Sequence, residues 1–159
     1  MCIRDRRYPA VFKFLEYQER IALSQGFVET LLGRRRYFHF NRNGLGRLLG
    51  TPPNEIDLNT ARRAGMEAQQ LRAAANAPIQ GSSADIIKLA MIQLHSALRK
   101  TGLAAKIILQ VHDELVLEVD PKDLEETKRL VQNTMENAIK LSVPLIVETG
   151  VGVNWMEAK

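Results

Sequence analysis

Cysteine is nearly absent from this sequence of 159 residues, in which Cys2 supplies the single thiol. A disulfide within the chain is therefore excluded, and a reducing, cytoplasmic location is the default expectation. Long apolar runs are also missing, because no segment approaches the roughly 20 apolar residues that a membrane-spanning helix requires. The charged start MCIRDRR lacks the apolar core of a secretion signal. We therefore expect a protein without a membrane among its partners.

Charge of one sign is present only in modest excess. The chain is 25% charged with a net charge of +4, and 45% of its residues are hydrophobic. This composition can bury a core and is not that of a disordered chain. The length corresponds to one domain, or to a small domain with an appendage. A polyanionic partner is compatible with the net charge but is not established by it.

The first third of the sequence predicts a helix, a hairpin and an irregular segment. Apolar positions on one face predict a helix over residues 9–24, and Gly26 is suited to end it. The stretch FVETLLGRRRYF at 27–38 predicts two short strands. Residues 39–59 are rich in glycine, proline and asparagine, which indicates an irregular connection or an insertion.

The middle of the sequence predicts two helices that are separated at a proline. The first is expected from about residue 59 to residue 77, because Pro78 cannot donate the next helical hydrogen bond and introduces a break or kink. The stretch SSAD at 82–85 places an acid three residues after a serine, which is typical of a new helix start. Gly102 is suited to end this second helix.

The last part of the sequence predicts a hairpin, a helix and a strand. Residues 105–111 and 115–119 are rich in Val, Ile and Leu and flank the polar triplet HDE. A helix is expected after Asp120 and Pro121, and the stretch VPLIVETGVGVNW is expected to form a further strand. The predicted fold class is α+β, with helices packed on one face of a small antiparallel sheet.

The triplet His112, Asp113 and Glu114 occupies the turn of the predicted hairpin. A tight turn usually takes Gly or Asn, which tolerate positive φ, and neither is present here. Two adjacent carboxylates repel each other, and a divalent cation that prefers hard oxygen ligands, such as magnesium, would relieve that repulsion. The plainer interpretation is a solvated turn with a structural histidine. A metal-dependent nuclease would need further acids, for which Glu118 and Glu148 are the nearby candidates.

A second candidate site is a polar face of the helix that precedes Pro78. Side chains with hydrogen-bond donors recur at helical spacing and share one face, at least up to the kink expected at Pro78: Gln69, Arg72, Asn76 and Gln80. Their donors suit the acceptors that every base pair presents in the minor groove, so the face fits sequence-independent contact with a duplex. Alanines at 73–75 and 77 would let a bulky partner approach. The plainer interpretation of these residues is a solvated helix face. The basic stretch GRRRY at 33–37 has two possible interpretations, a set of phosphate contacts or an exposed basic strand.

The order of several sequence blocks resembles the family A DNA polymerases, the family of bacterial DNA polymerase I. The blocks read FVETLLGRRR, RAAANAPIQGSSADIIK, QVHDELVLE and VPLIVETGVGVNW. The likeness covers about residues 8–38 and 60–159, and QVHDE is similar to the third polymerase motif of that family. The resemblance implies a C-terminal fragment of the polymerase module, which contains an incomplete palm and fingers built on an antiparallel palm-type sheet.

The resemblance implies DNA-directed DNA polymerase activity in the intact enzyme, a nucleotidyl transfer in replication and repair that two Mg²⁺ ions catalyse. Asp113 resembles the palm aspartate that ligates both ions, and Glu114 resembles its less essential acidic neighbour. The other candidate residues would contact DNA near the primer end: Arg72, Asn76, Gln80, Gln110 and His112. The expected partners are primer-template DNA and deoxynucleoside triphosphates, and the enzyme is expected to be a monomer. The alternative is a non-catalytic duplex-binding module with a palm-like fold.

The resemblance also divides the chain into segments. Residues 1–7 match nothing in the family and are expected to be an artefactual leader. Residues 8–60 would be the distal fingers, with an insertion at about 39–59, and residues 61–159 would be the palm with the catalytic hairpin. The family's first aspartate motif and its nucleotide-binding helix are missing and would lie upstream of residue 8. We therefore expect the chain alone to be inactive.

Overall fold

The computed structural model describes residues 7–158, which fall into two compact units, Met1–Ser82 and Ser83–Lys159. Cys2 and nearly all of the expected leader at 1–7 lie outside the described residues. Within residues 7–158, no helix combines the length and the apolar character needed to cross a membrane.

The first unit begins with a helix followed by a two-stranded hairpin, as predicted. Helix α1 (Pro9–Gln25) ends where Gly26 adopts the left-handed conformation at φ 78° and donates its N–H to the Ala22 carbonyl at 2.9 Å. Strands β1 (Phe27–Glu29) and β2 (Arg35–Tyr37) pair in antiparallel register. The short α2 (Leu58–Ala61) follows, and α3 (Glu67–Thr101) begins in this unit and continues beyond it.

The segment 39–59 is irregular, as predicted, but it contributes to the core of the first unit. It contains the 3-10 helices Leu45–Leu48 and Pro53–Glu55. One buried cluster joins this segment to α1, α2 and α3: Leu23, Leu45, Ile56, Leu58, Ala61 and Leu71. The Glu67 carboxylate also accepts the backbone N–H groups of Asn41 at 2.6 Å and Leu45 at 3.2 Å. Deleting the segment would therefore remove part of the core.

A buried carboxylate connects α1 to the residue after α2. Glu19 is only 5% exposed and pairs with Arg62, whose Nη2 lies 2.8 Å from its Oε2. Arg62 also reaches Glu16 on the next turn of α1, with Nη1 to Oε1 at 3.2 Å. Burial raises the pKa of Glu19, and the guanidinium of Arg62 acts against that rise.

Helix α3 continues through Pro78 over 35 residues, so the predicted separation into two helices is wrong. Proline costs about 3 kcal/mol in a helix interior, but packing of the turn that precedes it stabilises the continuous helix. Ala74 and Ala77 are buried in a second cluster with Val28. Ser82 is not a helix cap, because its hydroxyl donates to the Pro78 carbonyl at 2.6 Å inside the helix. The helix predicted to run from about residue 59 is also interrupted, since α2 starts at Leu58 but ends at Ala61, and α3 begins only at Glu67.

The second unit has the predicted α+β arrangement. Strands β3 (Ala105–Val111) and β4 (Glu114–Val119) pair in antiparallel register, with a bulge between Ile107 and Leu109. The 3-10 helix Pro121–Asp123 leads into α4 (Leu124–Glu136). The Asp120 carboxylate caps the 3-10 helix by accepting the Lys122 N–H. One cluster joins α3 and α4 to a single face of the hairpin: Leu94, Leu98, Val131, Leu103, Ala105, Ile107, Leu115, Leu117, Leu130 and Met135.

The strand predicted in VPLIVETGVGVNW is wrong, because residues 143–155 form no strand. Side chains of α4 bond the backbone of Val147 instead. Its N–H donates to Glu136 Oε1 at 3.1 Å, and its carbonyl accepts Gln132 Nε2 at 3.3 Å. Ile146 is left 80% exposed. A strand needs a neighbouring strand for its hydrogen bonds, and β propensity alone does not supply one.

Candidate metal and nucleic-acid sites

The β3–β4 turn is tighter than the sequence indicated. Val111 pairs with Glu114, so His112 and Asp113 alone form the turn, and Glu114 begins β4. His112 has φ 53°, and it is the one non-glycine residue of 7–158 with positive φ. A two-residue turn with positive φ at its first central position usually has glycine there. A histidine in this conformation costs on the order of 1 kcal/mol.

The acid of this turn and the acid that begins β4 are both presented to solvent. Asp113 and Glu114 are exposed, and within the described part of the chain their side chains form no hydrogen bond or salt bridge. Gln110 is used locally, because its Nε2 donates to the His112 carbonyl at 2.8 Å across the turn. The turn is therefore braced by Gln110 while both carboxylates remain available to a ligand.

The donor chemistry of Asp113 and Glu114 fits part of a magnesium site. Both supply hard oxygen atoms, but magnesium takes about six oxygen ligands in octahedral geometry. Among residues 7–158, no group of three His, Cys, Asp or Glu side chains converges on a possible metal position. Glu118 and Glu148 therefore do not complete a site with the two turn acids. The remaining ligands would have to come from water, from substrate or from protein outside these residues.

The predicted polar face of α3 is present and exposed. Arg72, Asn76 and Gln80 are exposed, and because the helix is continuous they share one face across Pro78. Part of this face is satisfied locally, since Asn76 Nδ2 donates to the Arg72 carbonyl at 3.0 Å. The second donor of that amide and the guanidinium of Arg72 remain suited to acceptors on a partner.

The alanines of this helix do not leave space for a partner, which corrects the interpretation from sequence. Ala74 and Ala77 are buried, at 0% and 4% exposed, in the cluster with Val28 and Phe38. Their small size lets α3 pack closely on the chain's own core. The polar face and the alanine face are therefore different sides of the helix.

The arginines of GRRRY have partners within the chain. Arg35 Nε lies 2.8 Å from Glu29 Oε1, and its guanidinium carbon lies 4.5 Å from the centre of the Phe27 ring. Hydrogen bonding to Glu29 raises the pKa of Arg35. Arg36 lies over the Phe38 ring at 5.4 Å, and Arg34 Nη2 donates to the Gly81 carbonyl at 3.1 Å. These contacts favour a structural role for the basic strand.

The structure brings the candidate residues together in two groups. Residues 72, 76 and 80 lie in the first unit, on α3. Residues 110 and 112–114 lie in the second unit, at the β3–β4 turn. The contacts of Ser82 and Gly81 with the β1–β2 loop were missed from sequence, because a serine followed by an acid was interpreted as a helix start.

Comparison with known proteins identifies the family. The family model for DNA polymerase family A matches residues 5–157. DNA polymerase I of Synechocystis sp. is 51% identical over 154 residues, which is 97% of this chain and 15% of that protein. DNA polymerase I of Streptococcus pneumoniae serotype 4 is 44% identical over 153 residues, with 96% and 15% covered. The chain thus spans about 15% of the length of the relatives that it matches.

A solved structure is similar over the same range. It is the POL domain of Pol1 from M. smegmatis in complex with DNA primer-template and dNTP, with 40% identity and a TM-score of 0.75. The match covers 97% of this chain and 24% of that chain. Because the family model matches nearly the whole sequence, this chain belongs to DNA polymerase family A.

Proposed function

We propose that this chain is a segment of a DNA-directed DNA polymerase that supplies a metal-binding carboxylate and a duplex-contacting helix. The observation that supports the proposal most directly is Asp113, an exposed acid without a partner in the described chain, beside the positive-φ residue His112. Strained backbone is concentrated at functional sites. The M. smegmatis domain, which was solved with primer-template and dNTP, has 40% identity to this chain.

Each candidate residue then has a defined task. Asp113, with Glu114 beside it, would donate oxygen ligands to magnesium. Magnesium, when bound, supplies positive charge that offsets the negative charge developing on the transferred phosphate. Gln110 and His112 would lie near the primer end. Primer-template DNA, deoxynucleoside triphosphates, a cytoplasmic location and a monomeric state belong to the same proposal.

The α3 face would contact the duplex without reading its sequence. Arg72, Asn76 and Gln80 present donors, and minor-groove acceptors occur at equivalent positions in all matched base pairs. A mismatch displaces those acceptors, so this face would contribute to recognition of correct pairing. We also propose that residues 8–60 belong to the distal fingers and residues 61–159 to the palm, whereas the compact units of the structure divide at Ser82.

A graft tests the proposal. The chain replaces the matching segment of the relative that is 51% identical to it, and primer extension is measured with magnesium and all four nucleotides. We expect the graft to extend a primer and the 159-residue chain alone not to do so, because the acids of residues 7–158 form no complete metal site. A folded graft without synthesis would contradict the polymerase assignment. Extension by the chain alone would contradict the inference that magnesium needs further ligands from protein outside this chain.

The same experiment separates the alternatives. A non-catalytic duplex-binding module predicts salt-dependent binding of primer-template by the graft without synthesis. A nuclease predicts magnesium-dependent shortening of the primer in the absence of nucleotides. Its requirement for additional acids is not met by Glu118 and Glu148 in the part of the chain that the structure describes.

A further inference from the structure

The turn of α3 that carries Gln80 is weak by composition. It lies between Pro78, which cannot donate a helical hydrogen bond, and Gly81, which has no side chain to stabilise the helix. Proline and glycine cost about 3 and about 1 kcal/mol relative to alanine at interior helix positions. A side chain placed on such a turn has no fixed direction unless other contacts hold the backbone.

The loop between β1 and β2, residues 30–34, makes those contacts. Ser82 Oγ donates to the Pro78 carbonyl at 2.6 Å and accepts the Leu31 N–H at 2.8 Å, so one hydroxyl connects the helix to the 30–34 loop. Arg34 Nη2 adds a second connection through the Gly81 carbonyl at 3.1 Å. Both connections meet the helix within one turn of Gln80.

The 30–34 loop also approaches the helix closely. A Cβ atom at Gly81 would lie 2.5 Å from Cγ2 of Thr30, so a side chain there would displace the Thr30 side chain. The loop is closed by its own hydrogen bonds, from the Arg34 N–H to Thr30 Oγ1 at 3.1 Å and from the Gly33 N–H to the Thr30 carbonyl at 2.9 Å. The close approach of Thr30 therefore favours glycine at position 81, while Gln80 beside it remains exposed.

We propose that the 30–34 loop positions Gln80 for its contact with the duplex, and that Ser82 is the principal positioning residue. This inference rests on the proposed function of the α3 face. In this arrangement Arg34 acts through the Gly81 carbonyl and not as a phosphate ligand. Ser82 and Arg34 therefore determine how well the enzyme distinguishes a matched from a mismatched primer end, and neither touches the substrate.

The first test measures the connection itself in the 159-residue chain. Ser82→Ala removes the acceptor of the Leu31 N–H, and we expect hydrogen exchange of that amide to be faster by about threefold to tenfold. Ser83→Ala is the matched control, because Ser83 is the adjacent serine and is exposed. It should leave the Leu31 exchange rate unchanged. Equal exchange rates in the two variants would overturn the proposed connection.

The second test measures discrimination in the graft, as the ratio of extension rates from matched and mismatched primer ends. Gln80→Ala should lower this ratio, and Ser82→Ala should lower it by about threefold to tenfold. In the Gln80→Ala background, Ser82→Ala should add nothing, because a positioning residue acts through the group that it positions. An unchanged ratio in Ser82→Ala, or additive losses, would overturn the inference.

The arginine gives an independent comparison. Arg34→Gln and Arg36→Gln remove the same charge from neighbouring positions of the hairpin, and only Arg34 bonds Gly81. We expect Arg34→Gln alone to lower discrimination, with an unchanged salt dependence of duplex binding. Equal effects of both substitutions would overturn the inference in favour of phosphate contact. If Gln80→Ala itself has no effect, the assignment of the α3 face fails, whereas the role of Asp113 is measured separately.

Discussion

The two hairpins of this chain use exposed charge in opposite ways. The β1–β2 hairpin carries three consecutive arginines, and each has a carboxylate, a carbonyl or an aromatic ring of the same chain as partner. The β3–β4 turn carries Asp113 and Glu114, whose side chains have no such partner among residues 7–158. It also contains His112 with positive φ. The arginines of the basic hairpin therefore stabilise the fold, whereas the acids at the β3–β4 turn make no such contact and lie next to a strained residue.

The difference shows that charge alone does not identify a site. Both stretches consist of exposed charged residues at a reversal of the chain, and both suit a phosphate or a metal when only the sequence is considered. The contacts separate them, because a paired side chain has a structural task that explains it. Acidic side chains that have no partner and that directly follow a strained residue are better explained by a bound ligand. Substitutions that alter paired and unpaired groups therefore have different expected effects on stability.

The largest effect on stability is expected at a paired group, Arg62. Arg62→Met leaves the carboxylate of Glu19 buried without its partner. We expect the free energy of unfolding to fall by about 2 to 3 kcal/mol, less than for a fully buried pair because Arg62 is partly exposed. Denaturant unfolding of the chain measures this change. Arg63→Met is the control, since Arg63 is exposed, and an equal loss in both variants would contradict the account.

The same carboxylate predicts a pH dependence. Because burial raises the pKa of Glu19, the folded state binds its proton more tightly than the unfolded state does. The contribution of this group to stability should therefore decrease as pH rises above 4.5, the ordinary value. Unfolding of the chain and of its Glu19→Gln variant is compared below that pH and at neutral pH. We expect the variant to gain stability relative to the parent as pH rises. The opposite trend would contradict a raised pKa of Glu19 caused by burial.

A buried polar group without a partner has a smaller expected effect. The Thr127 hydroxyl is buried on α4 and has no hydrogen-bond partner in the described structure. Thr127→Val replaces it with a methyl group of similar shape, and we expect a gain of about 1 kcal/mol in the free energy of unfolding. Thr134→Val on the same helix is the comparison, because Thr134 is only half-buried. Thermal unfolding checks the difference, and a loss of stability in Thr127→Val would contradict it.

The strain at His112 predicts a smaller effect still. Glycine adopts a φ of 53° without the Cβ penalty, but it also increases the entropy of the unfolded chain. We expect His112→Gly to stabilise the chain by about 0.5 kcal/mol. His112→Val should destabilise it, because a β-branched side chain tolerates positive φ poorly. Equal stability of the two variants in denaturant unfolding would remove the evidence for strain at the turn.

The sequence predicts local elements better than the contacts between them. Hydrophobic spacing and glycine positions predict α1 and the two hairpins, because these features depend on neighbours in the chain. Pro78 stays inside a continuous helix, contrary to the prediction, because tertiary packing of Ala74 and Ala77 outweighs a missing hydrogen bond. The strand expected at 143–155 is not formed, because a strand depends on a neighbouring strand that propensity does not specify.

In the candidate site, too, local features follow from the sequence and long-range contacts do not. The exposure of Arg72, Asn76 and Gln80 follows from their spacing on a helix, and the acidic turn follows from the two strands that flank it. The restriction of the turn to His112 and Asp113 depends on strand register, which the sequence leaves open by one residue. The role of Ser82 depends on a loop about fifty residues away in the chain, and no local pattern indicates it.

We propose that Asp113 serves the chemistry of the enzyme and not its folding. In the graft, Asp113→Asn should abolish primer extension and preserve binding of primer-template. In the chain, the same substitution should change the free energy of unfolding by less than about 0.5 kcal/mol, because the side chain is exposed and has no partner among residues 7–158. Glu118→Gln, an exposed acid of the same hairpin, should preserve synthesis. Full synthesis by Asp113→Asn, or equal loss in both variants, would contradict the account.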